Sequence, residues 1–342
     1  MSSLLTHLSP LAPDDSGACA VFYELGGITV ICDAGGCAGN VCGFDEPRWH
    51  EKRSALFSAG LRDMDAILGR DKLLIEKLAQ ITEQIPAAFT AIVGTPVPAV
   101  IATDFQALKR MAEKKTGLPC IVTETDGTRL CDFGESLAYV RLFREFAKEQ
   151  LPVRAGTLGV LGATPLETGL TRADSIIAAL RQQGWNEVVC FGMDSGLDAI
   201  RSASECEQIL VISPAGLKAA EYLRDTFGTP FSVGYPVLPD GLTAKAAALS
   251  GKRVLIVHQQ FAANALRERI TGCEVTCATW FMQDSRYAQD GDFRISAEAD
   301  LRRAAAEYDV IIADNMLRRA VPGFTGEWMD FPHYAVSGSA KE

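Results

Sequence analysis

Four cysteines lie close together near the N-terminus of this 342-residue chain, and their type and spacing suggest metal chemistry. They are Cys19, Cys32, Cys37 and Cys42. Glycines crowd the same segment, and Gly36 and Gly39 flank Cys37. Thiolates are the ligands that iron–sulfur clusters require, and glycines let the backbone approach a bulky inorganic core. The segment therefore predicts an iron–sulfur cluster, with the four cysteines as candidate metal ligands and Gly36 and Gly39 as candidate cofactor-binding positions.

The same cysteines also have simpler interpretations. Cys32 ends an apolar run typical of a buried strand, and Cys19 lies near the start of an apolar helical stretch, so both fit as small core residues. A zinc site is the other alternative. It is disfavoured because the cysteine spacing lacks the repeated pairs of zinc ribbons and the four histidines are scattered along the chain.

Short apolar runs alternate with amphipathic stretches through most of the chain, a pattern typical of parallel sheets covered by helices. Strands are predicted at residues 28–32, 89–93, 120–123, 157–161, 187–191, 208–212, 253–257, 274–279 and 309–313. Helices are predicted at residues 71–83, 104–115, 135–150, 172–183, 214–227, 260–270 and 297–307. Proline- and glycine-punctuated stretches then divide the chain into three α/β domains, residues 1–152, 153–240 and 241–342. Ligand sites are expected in the loops after strands, including those after Val93, Leu161 and Ile212.

Composition and missing motifs exclude several classes of function. The formal net charge of −10 argues against a nucleic-acid partner. The first 17 residues do not resemble a signal peptide, and no apolar run is long enough to span a bilayer, so we expect a cytoplasmic protein with no membrane partner. There is no P-loop motif. The glycines that begin at Gly156 lack the dinucleotide spacing, so no NAD is expected.

Several stretches, in order along the chain, resemble motifs of the nitrogenase component 1 family. The first is Gly17-Ala18 followed by Gly36-Cys37, which resembles the family's arrangement of a GA pair and a cluster-binding cysteine. The others are residues 58–73 (SAGLRDMDAILGRDKL), 91–104 (AIVGTPVPAVIATD), 118–127 (LPCIVTETDG) followed by Gly134, 219–231 (AAEYLRDTFGTPF) and 249–254 (LSGKRV).

The resemblance implies three Rossmann-like parallel-sheet domains and an iron–sulfur cluster at a subunit interface. It also implies a reductase that receives electrons from a separate, ATP-dependent P-loop iron protein. The partner subunit would be a second copy of the chain or a closely related one. No catalytic side chain and no substrate are assigned. A non-catalytic scaffold for cluster assembly is the alternative, and a cluster-free protein that binds a small molecule is the third possibility.

This chain departs from the family pattern at two cluster-ligand positions. The family's first ligand cysteine falls at Pro13 and its third at Pro96, so only Cys37 is retained. Cys19 and Cys42 would have to compensate, as would an oxygen ligand from Asp14 or Asp15.

A third departure concerns the larger cofactor of dinitrogen-reducing nitrogenases. The region of Ile212 and Ser213 carries no cysteine where nitrogenase anchors its molybdenum cofactor. No molybdenum cofactor is therefore expected, and a dinitrogen-fixing nitrogenase is disfavoured.

Overall fold

Three parallel β-sheets organise the chain in the computed structural model, which describes residues 5–69 and 71–339. The strands are β1 (Ile28–Ile31), β2 (Leu56–Ser58), β3 (Thr90–Val93), β4 (Cys120–Thr123), β5 (Arg154–Leu161), β6 (Glu187–Cys190), β7 (Cys206–Val211), β8 (Phe231–Val233), β9 (Arg253–Val257), β10 (Glu274–Thr279), β11 (Phe293–Arg294), β12 (Val310–Ala313) and β13 (Glu327–Asp330). Their orders are β2-β1-β3-β4, β6-β5-β7-β8 and β11-β10-β9-β12-β13. Neighbouring strands within each sheet pair in parallel, which confirms the predicted α/β class with three parallel-sheet units.

Helices cover these sheets. They are α1 (Asp14–Phe22), α2 (Gly36–Asn40), α3 (Asp63–Leu68), α4 (Asp71–Gln84), α5 (Pro96–Val100), α6 (Phe105–Thr116), α7 (Cys131–Phe146), α8 (Pro165–Thr168), α9 (Asp174–Gln182), α10 (Leu197–Arg201), α11 (Leu217–Phe227), α12 (Asp240–Ala247), α13 (Gln260–Arg267), α14 (Glu298–Ala305) and α15 (Tyr334–Ser337). Within the described ranges, no helix combines the length and the apolar character that a membrane span requires.

All nine predicted strands are present, and three of them, β4, β9 and β10, have the predicted bounds. Central strands such as β12 are buried along their whole length, so their sequences are continuous apolar runs that are easy to recognise. The four strands that the sequence did not indicate, β2, β8, β11 and β13, all lie at sheet edges. Edge strands are short and partly exposed, and they therefore lack that signal.

The strand order creates a crevice at the carboxyl end of each sheet. In each sheet the chain first builds outward from one inner strand, β1, β5 or β9, and then crosses to that strand's other side. Ligands of open α/β sheets bind in the crevice at such a reversal point. The crevices lie between β1 and β3, between β5 and β7, and between β9 and β12.

Two helices connect the first crevice with the second. Helices α1 and α7 pack with their backbones in contact, because both carry glycine at the crossing. A Cβ at position 17 would lie 1.9 Å from the carbonyl oxygen of Cys131, and one at position 134 would lie 1.7 Å from that of Asp14. Such distances leave no room for a side chain. Gly17 and Gly134, which belong to the family-like stretches, therefore fix α1 against α7.

Candidate functional site

Cys37 lies at the first crevice, as the second residue of α2. The chain leaves β1 at Asp33, whose carboxylate accepts hydrogen bonds from the Ala38 backbone N–H at 2.8 Å and from the Ser58 hydroxyl at 2.6 Å. Asp33 thereby holds α2 against the carboxyl end of the sheet. Helix α2 continues into a π-helical turn, Val41–Asp45, which contains Cys42. Such turns occur frequently at functional sites.

The surroundings of Cys37 combine one thiol with oxygen groups. The Asp15 carboxyl group of α1 and the Thr95 hydroxyl, which follows β3, both lie within hydrogen-bonding reach of its sulfur. Burial raises the pKa of Cys37 to about 11, and the negative charges of Asp15 and Asp33 act in the same direction. The thiol is therefore protonated at neutral pH until a metal ion displaces its proton.

Cys42 faces a similar environment one turn later. It is partly exposed, and burial together with the charge of Glu46 raises its pKa. The turn is tied to its neighbours through Asp45, whose Oδ2 accepts hydrogen bonds from the Ser16 hydroxyl at 2.6 Å and from the Asn40 side chain at 2.5 Å. The cysteine-bearing segment is thus held in place by α1.

Gly36 and Gly39 have no packing role within the chain. Both are exposed, and a Cβ added at either position would meet no atom within 4 Å. Unlike Gly17, they are not required for contacts inside this molecule. A bare backbone at this surface leaves room for another molecule or a cofactor to approach closely.

A buried ion-pair network anchors the end of this segment. Arg48 forms two hydrogen bonds of 2.7 Å to the Glu46 carboxylate and one of 3.1 Å to Glu24. It also donates to the carbonyl oxygens of Ala20 in α1 and Gly192 after β6, at 2.7 and 2.8 Å. One side chain therefore links the cysteine segment to α1 and to the second sheet.

The two other candidate cysteines are placed differently. Cys19 is fully buried within α1, and burial raises the pKa of its thiol well above the usual range. Cys32 packs with Ile28, Val30 and Leu108 on the face of the first sheet opposite to Cys37, and burial raises its pKa to about 12. Cys19 nevertheless lies close enough to Asp15 and Cys42 for their charges to act on it, whereas Cys32 lies on the other face of the sheet.

The ligating side chains that the structure does bring together lie at the second crevice. Within residues 5–69 and 71–339, the group of three whose ligating atoms all lie within 4.8 Å of one another is Cys131, Glu135 and Glu167. The sequence interpretation missed this group. Two signals point to it: the four-residue spacing of Cys131 and Glu135, which puts both on one helix face, and the location of Glu167 just after Leu161.

Exposed apolar side chains occur in the turn that contains Cys42 and in the stretch that follows Thr95. Phe44, in the π-helical turn, is 71% exposed, and Val100, in the helix that follows Thr95, is 85% exposed. Val97 and Ile101 of the same stretch are also exposed. Phe44, Val97, Val100 and Ile101 form what we call the apolar rim. Large exposed apolar groups beside a candidate metal site are typical of an interaction surface.

The family model described as "Nitrogenase component 1 type Oxidoreductase" matches residues 16–250, which is more than half of the chain. The chain belongs to this family. The match confirms the resemblance seen in the sequence, and it covers both the cysteine segment and the group at the second crevice. No curated protein sequence matches the chain.

Two solved structures show the nitrogenase component 1 fold in this chain. "Nitrogenase Cp1 at pH 6.5" superposes with a TM-score of 0.73 at 9% identity, covering 97% of this chain and 87% of that chain. "Nitrogenase Cp1 at pH 5" gives a TM-score of 0.71 at 13% identity, covering 98% and 85%. At these identities the likeness establishes the fold alone.

Proposed function

We propose that this protein is the catalytic component of a nitrogenase-like reductase. It receives electrons from an ATP-dependent P-loop iron protein through an iron–sulfur cluster at Cys37, and it reduces a small substrate other than dinitrogen. The observation that carries the proposal is the half-exposed Cys37 thiol. It lies at a sheet crevice within the family-matched region, beside two glycines that no internal contact requires.

The donors at this surface fit a cluster shared between two chains. Cys37, Cys42 and the Asp15 carboxylate are the groups able to face it, and one chain is short of the usual four cysteine ligands. A two-fold axis near Cys37 would double the set. The cluster supplies one-electron transfer. The chain's own residues hold its position, with α2 fixed by Asp33 and the following turn fixed by Asp45.

The apolar rim supports the proposed partners. Burying Phe44 and Val100 against a second subunit would remove their apolar surface from water, at roughly 25 cal/mol per Å². The second subunit is a copy of this chain or a close relative. The iron protein docks across the surface of the resulting dimer near Cys37 and Cys42, and this contact is small and transient, as electron-transfer contacts generally are. We place this exchange in a reducing cytoplasm.

The second crevice favours a substrate other than dinitrogen. Ser213 occupies the region where the resemblance would put a cofactor-anchoring cysteine, and its side chain is fully buried. The carboxyl group beside it, Glu167, offers oxygen, and the one thiol of this crevice, Cys131, belongs to α7 rather than to the Ser213 region. We therefore propose that no molybdenum cofactor is bound there.

The test is cluster reduction by the iron protein, followed spectroscopically under anaerobic conditions with and without ATP. We expect reduction only with ATP, and we expect Val100→Asp to slow it by about tenfold because a charge disrupts the apolar rim. Val153→Asp is the matched control, since Val153 is an exposed apolar residue beside the start of β5. Equal reduction by a ferredoxin without nucleotide would refute the mechanism and leave only the fold.

A scaffold role is the second candidate, and the small number of surface thiols favours it. A cluster held by few cysteines is more easily released to an acceptor. The two functions differ in outcome: a scaffold transfers its iron and sulfide stoichiometrically to an apo-protein, whereas a reductase keeps them through many turnovers.

A further inference from the structure

Three ligating side chains converge at the second crevice, well inside the protein. Cys131 is the first residue of α7, Glu135 lies one turn later, and Glu167 comes from α8, just after β5. Their relative exposures are 0%, 0% and 1%. Their ligating atoms lie within 4.8 Å of one another. The group is therefore assembled from two sheet units and sealed from solvent.

The carboxylates of this group lack most of the partners that buried charges normally have. One oxygen of Glu135 accepts a hydrogen bond of 2.6 Å from the Thr164 hydroxyl, and the other has no hydrogen-bond partner among the residues that the structure describes. Neither oxygen of Glu167 has one, although the Ser213 side chain lies near enough to lower its pKa. Buried polar groups in native proteins are nearly always satisfied. Two adjacent carboxylates with three unpartnered oxygens therefore point to a ligand.

The charged side chains around these three residues also favour a bound cation. Asp132 is buried beside the group, and its carboxylate accepts hydrogen bonds from the backbone N–H groups of Phe133 and Met282. The positive charge of Arg48 acts on Glu135, but its guanidinium is already bonded to Glu24 and Glu46. Buried charges are normally paired or bound to a metal. The pocket thus holds several acidic groups, whose charged forms a bound cation would stabilise.

We propose that Cys131, Glu135 and Glu167 bind a single divalent first-row transition metal ion, of the Zn²⁺ or Fe²⁺ class. One thiolate and two carboxylates are ligands for these ions, which bind sulfur at about 2.3 Å and oxygen at about 2.0–2.2 Å. Ligands around one such ion lie within about 4.5 Å of one another, which matches the observed convergence. Binding displaces the thiol proton to solvent.

This site is distinct from the proposed cluster and does not depend on it. The Cys37 site is open to the surface and incomplete in one chain, whereas the buried group is complete within one chain. Helix α1 contacts both, through Asp15 at Cys37 and through Gly17 at Cys131. The ion holds α7 to α8, and it therefore fixes the junction between the first and second sheet units.

The experiment uses Co²⁺ as the probe, because a thiolate bound to Co²⁺ gives a charge-transfer absorption. The full-length chain carrying Cys37→Ser and Cys42→Ser is produced in cobalt-supplemented, zinc- and iron-limited medium, so that surface thiols do not contribute and the ion enters during folding. We expect about one retained Co²⁺ per chain and the charge-transfer band. A folded protein without cobalt would overturn the proposal.

Further substitutions in the chain that carries Cys37→Ser and Cys42→Ser test where the ion binds. Cys131→Ser should abolish the band, and Glu135→Gln or Glu167→Gln should lower retained cobalt at least about tenfold. Cys190→Ser, which changes another buried cysteine, should leave both unchanged. The Glu→Gln variants keep the side-chain shape and decide the matter if Cys131→Ser fails to fold. Cobalt retention equal to that of the parent in both Glu→Gln variants would mean that the carboxyl groups merely share protons, and would overturn the proposal.

Discussion

The first and second sheet crevices have the same topology but opposite environments. At the first, Cys37 and Cys42 are partly exposed beside glycines that touch nothing, and one chain offers too few ligands for a cluster. At the second, Glu135 and Glu167 are sealed and closely surrounded, with oxygens that lack partners. Under the proposed function, the open crevice would obtain its missing ligands from another molecule. A sealed crevice has to satisfy its charges with something as small as an ion or a proton.

The two environments nevertheless resemble each other electrostatically, because burial is the main cause of a raised carboxyl pKa in both. Burial raises the pKa of Glu135 to about 8 at the second crevice and that of Asp15 to about 7 near the first. Asp15 has a negative neighbour, Asp14, which adds to the effect. In both crevices, ionising the buried carboxyl group therefore costs free energy, and a bound cation would lower that cost.

The largest expected effect comes from the helix contact that serves both crevices. Gly17→Ala should destabilise the protein by about 3 kcal/mol, because its Cβ would overlap the Cys131 carbonyl oxygen in a packed core. Gly39→Ala is the matched control, since the same methyl group meets nothing and replaces a helical glycine; it should change stability by less than about 1 kcal/mol. Chemical denaturation measures both.

Gly39→Ala also tests, in a second measurement, whether the open crevice needs a bare backbone. If the bare backbone at this position is needed by a cluster or a second subunit, iron content or dimer formation falls while monomer stability does not. Equal destabilisation by the two alanine variants would show that the open and sealed crevices are packed alike, against the structure.

Removal of the surface thiol should have the next largest effect. Cys37→Ser is expected to lower cluster affinity by at least about 10- to 100-fold, because neighbouring groups cannot replace a lost thiolate. Cys190→Ser, in a buried strand of the second sheet, should leave iron per folded chain unchanged. Iron and sulfide analysis after anaerobic purification checks this, and equal iron in both variants would remove the assignment to the cysteine segment.

The anaerobically purified parent protein also tests whether two chains share the cluster. If the cluster lies on a two-fold axis, the anaerobic protein is a dimer that dissociates more readily after a chelator strips its iron, because metal binding stabilises a native interface by mass action. Analytical ultracentrifugation follows this. A monomer with full iron would reject the shared cluster while leaving the fold untouched.

The smallest expected effect depends on pH. Burial raises the pKa of Asp15 in the folded state to about 7, well above its ordinary value of 3.8, so the folded state loses stability as the pH rises from about 4 to 7. Asp15→Asn removes this cost and should stabilise the iron-free protein by about 1–2 kcal/mol at pH 8, since a buried amide retains part of the desolvation penalty. At pH 4 it should have little effect. Thermal unfolding at the two pH values measures the difference, and equal shifts at both would contradict it.

Much of the fold follows from local sequence, and the exceptions have identifiable causes. Strands such as Arg253–Val257 and Glu274–Thr279 were predicted with the observed bounds, because fully or half-buried strands carry strong apolar patterns. The helix predicted at residues 71–83 also matches α4, which ends one residue later. Helix α7, by contrast, begins at Cys131, four residues before the predicted start at 135. That difference hid the pairing of Cys131 with Glu135.

The histidines show more clearly that local sequence does not reveal contacts between distant residues. His258 and His333 are far apart in sequence and seemed scattered, yet their rings stack with centroids 4.3 Å apart beside the third sheet. Local spacing carries no information about such contacts, because the parallel crossovers that create them span dozens of residues.

The amino-acid sequence is enough to assign the α/β class and the family and to predict a site around Cys37, because apolar periodicity, glycine spacing and motif order can be read along the chain. Which side chains lie close together depends on the tertiary structure. It put Cys32 on the far face of the sheet from Cys37, buried Cys19 in the core, and joined Glu167 to Cys131 and Glu135 across two sheet units. Side-chain direction and burial depend on how whole sheets pack, and no run of neighbouring residues encodes that packing.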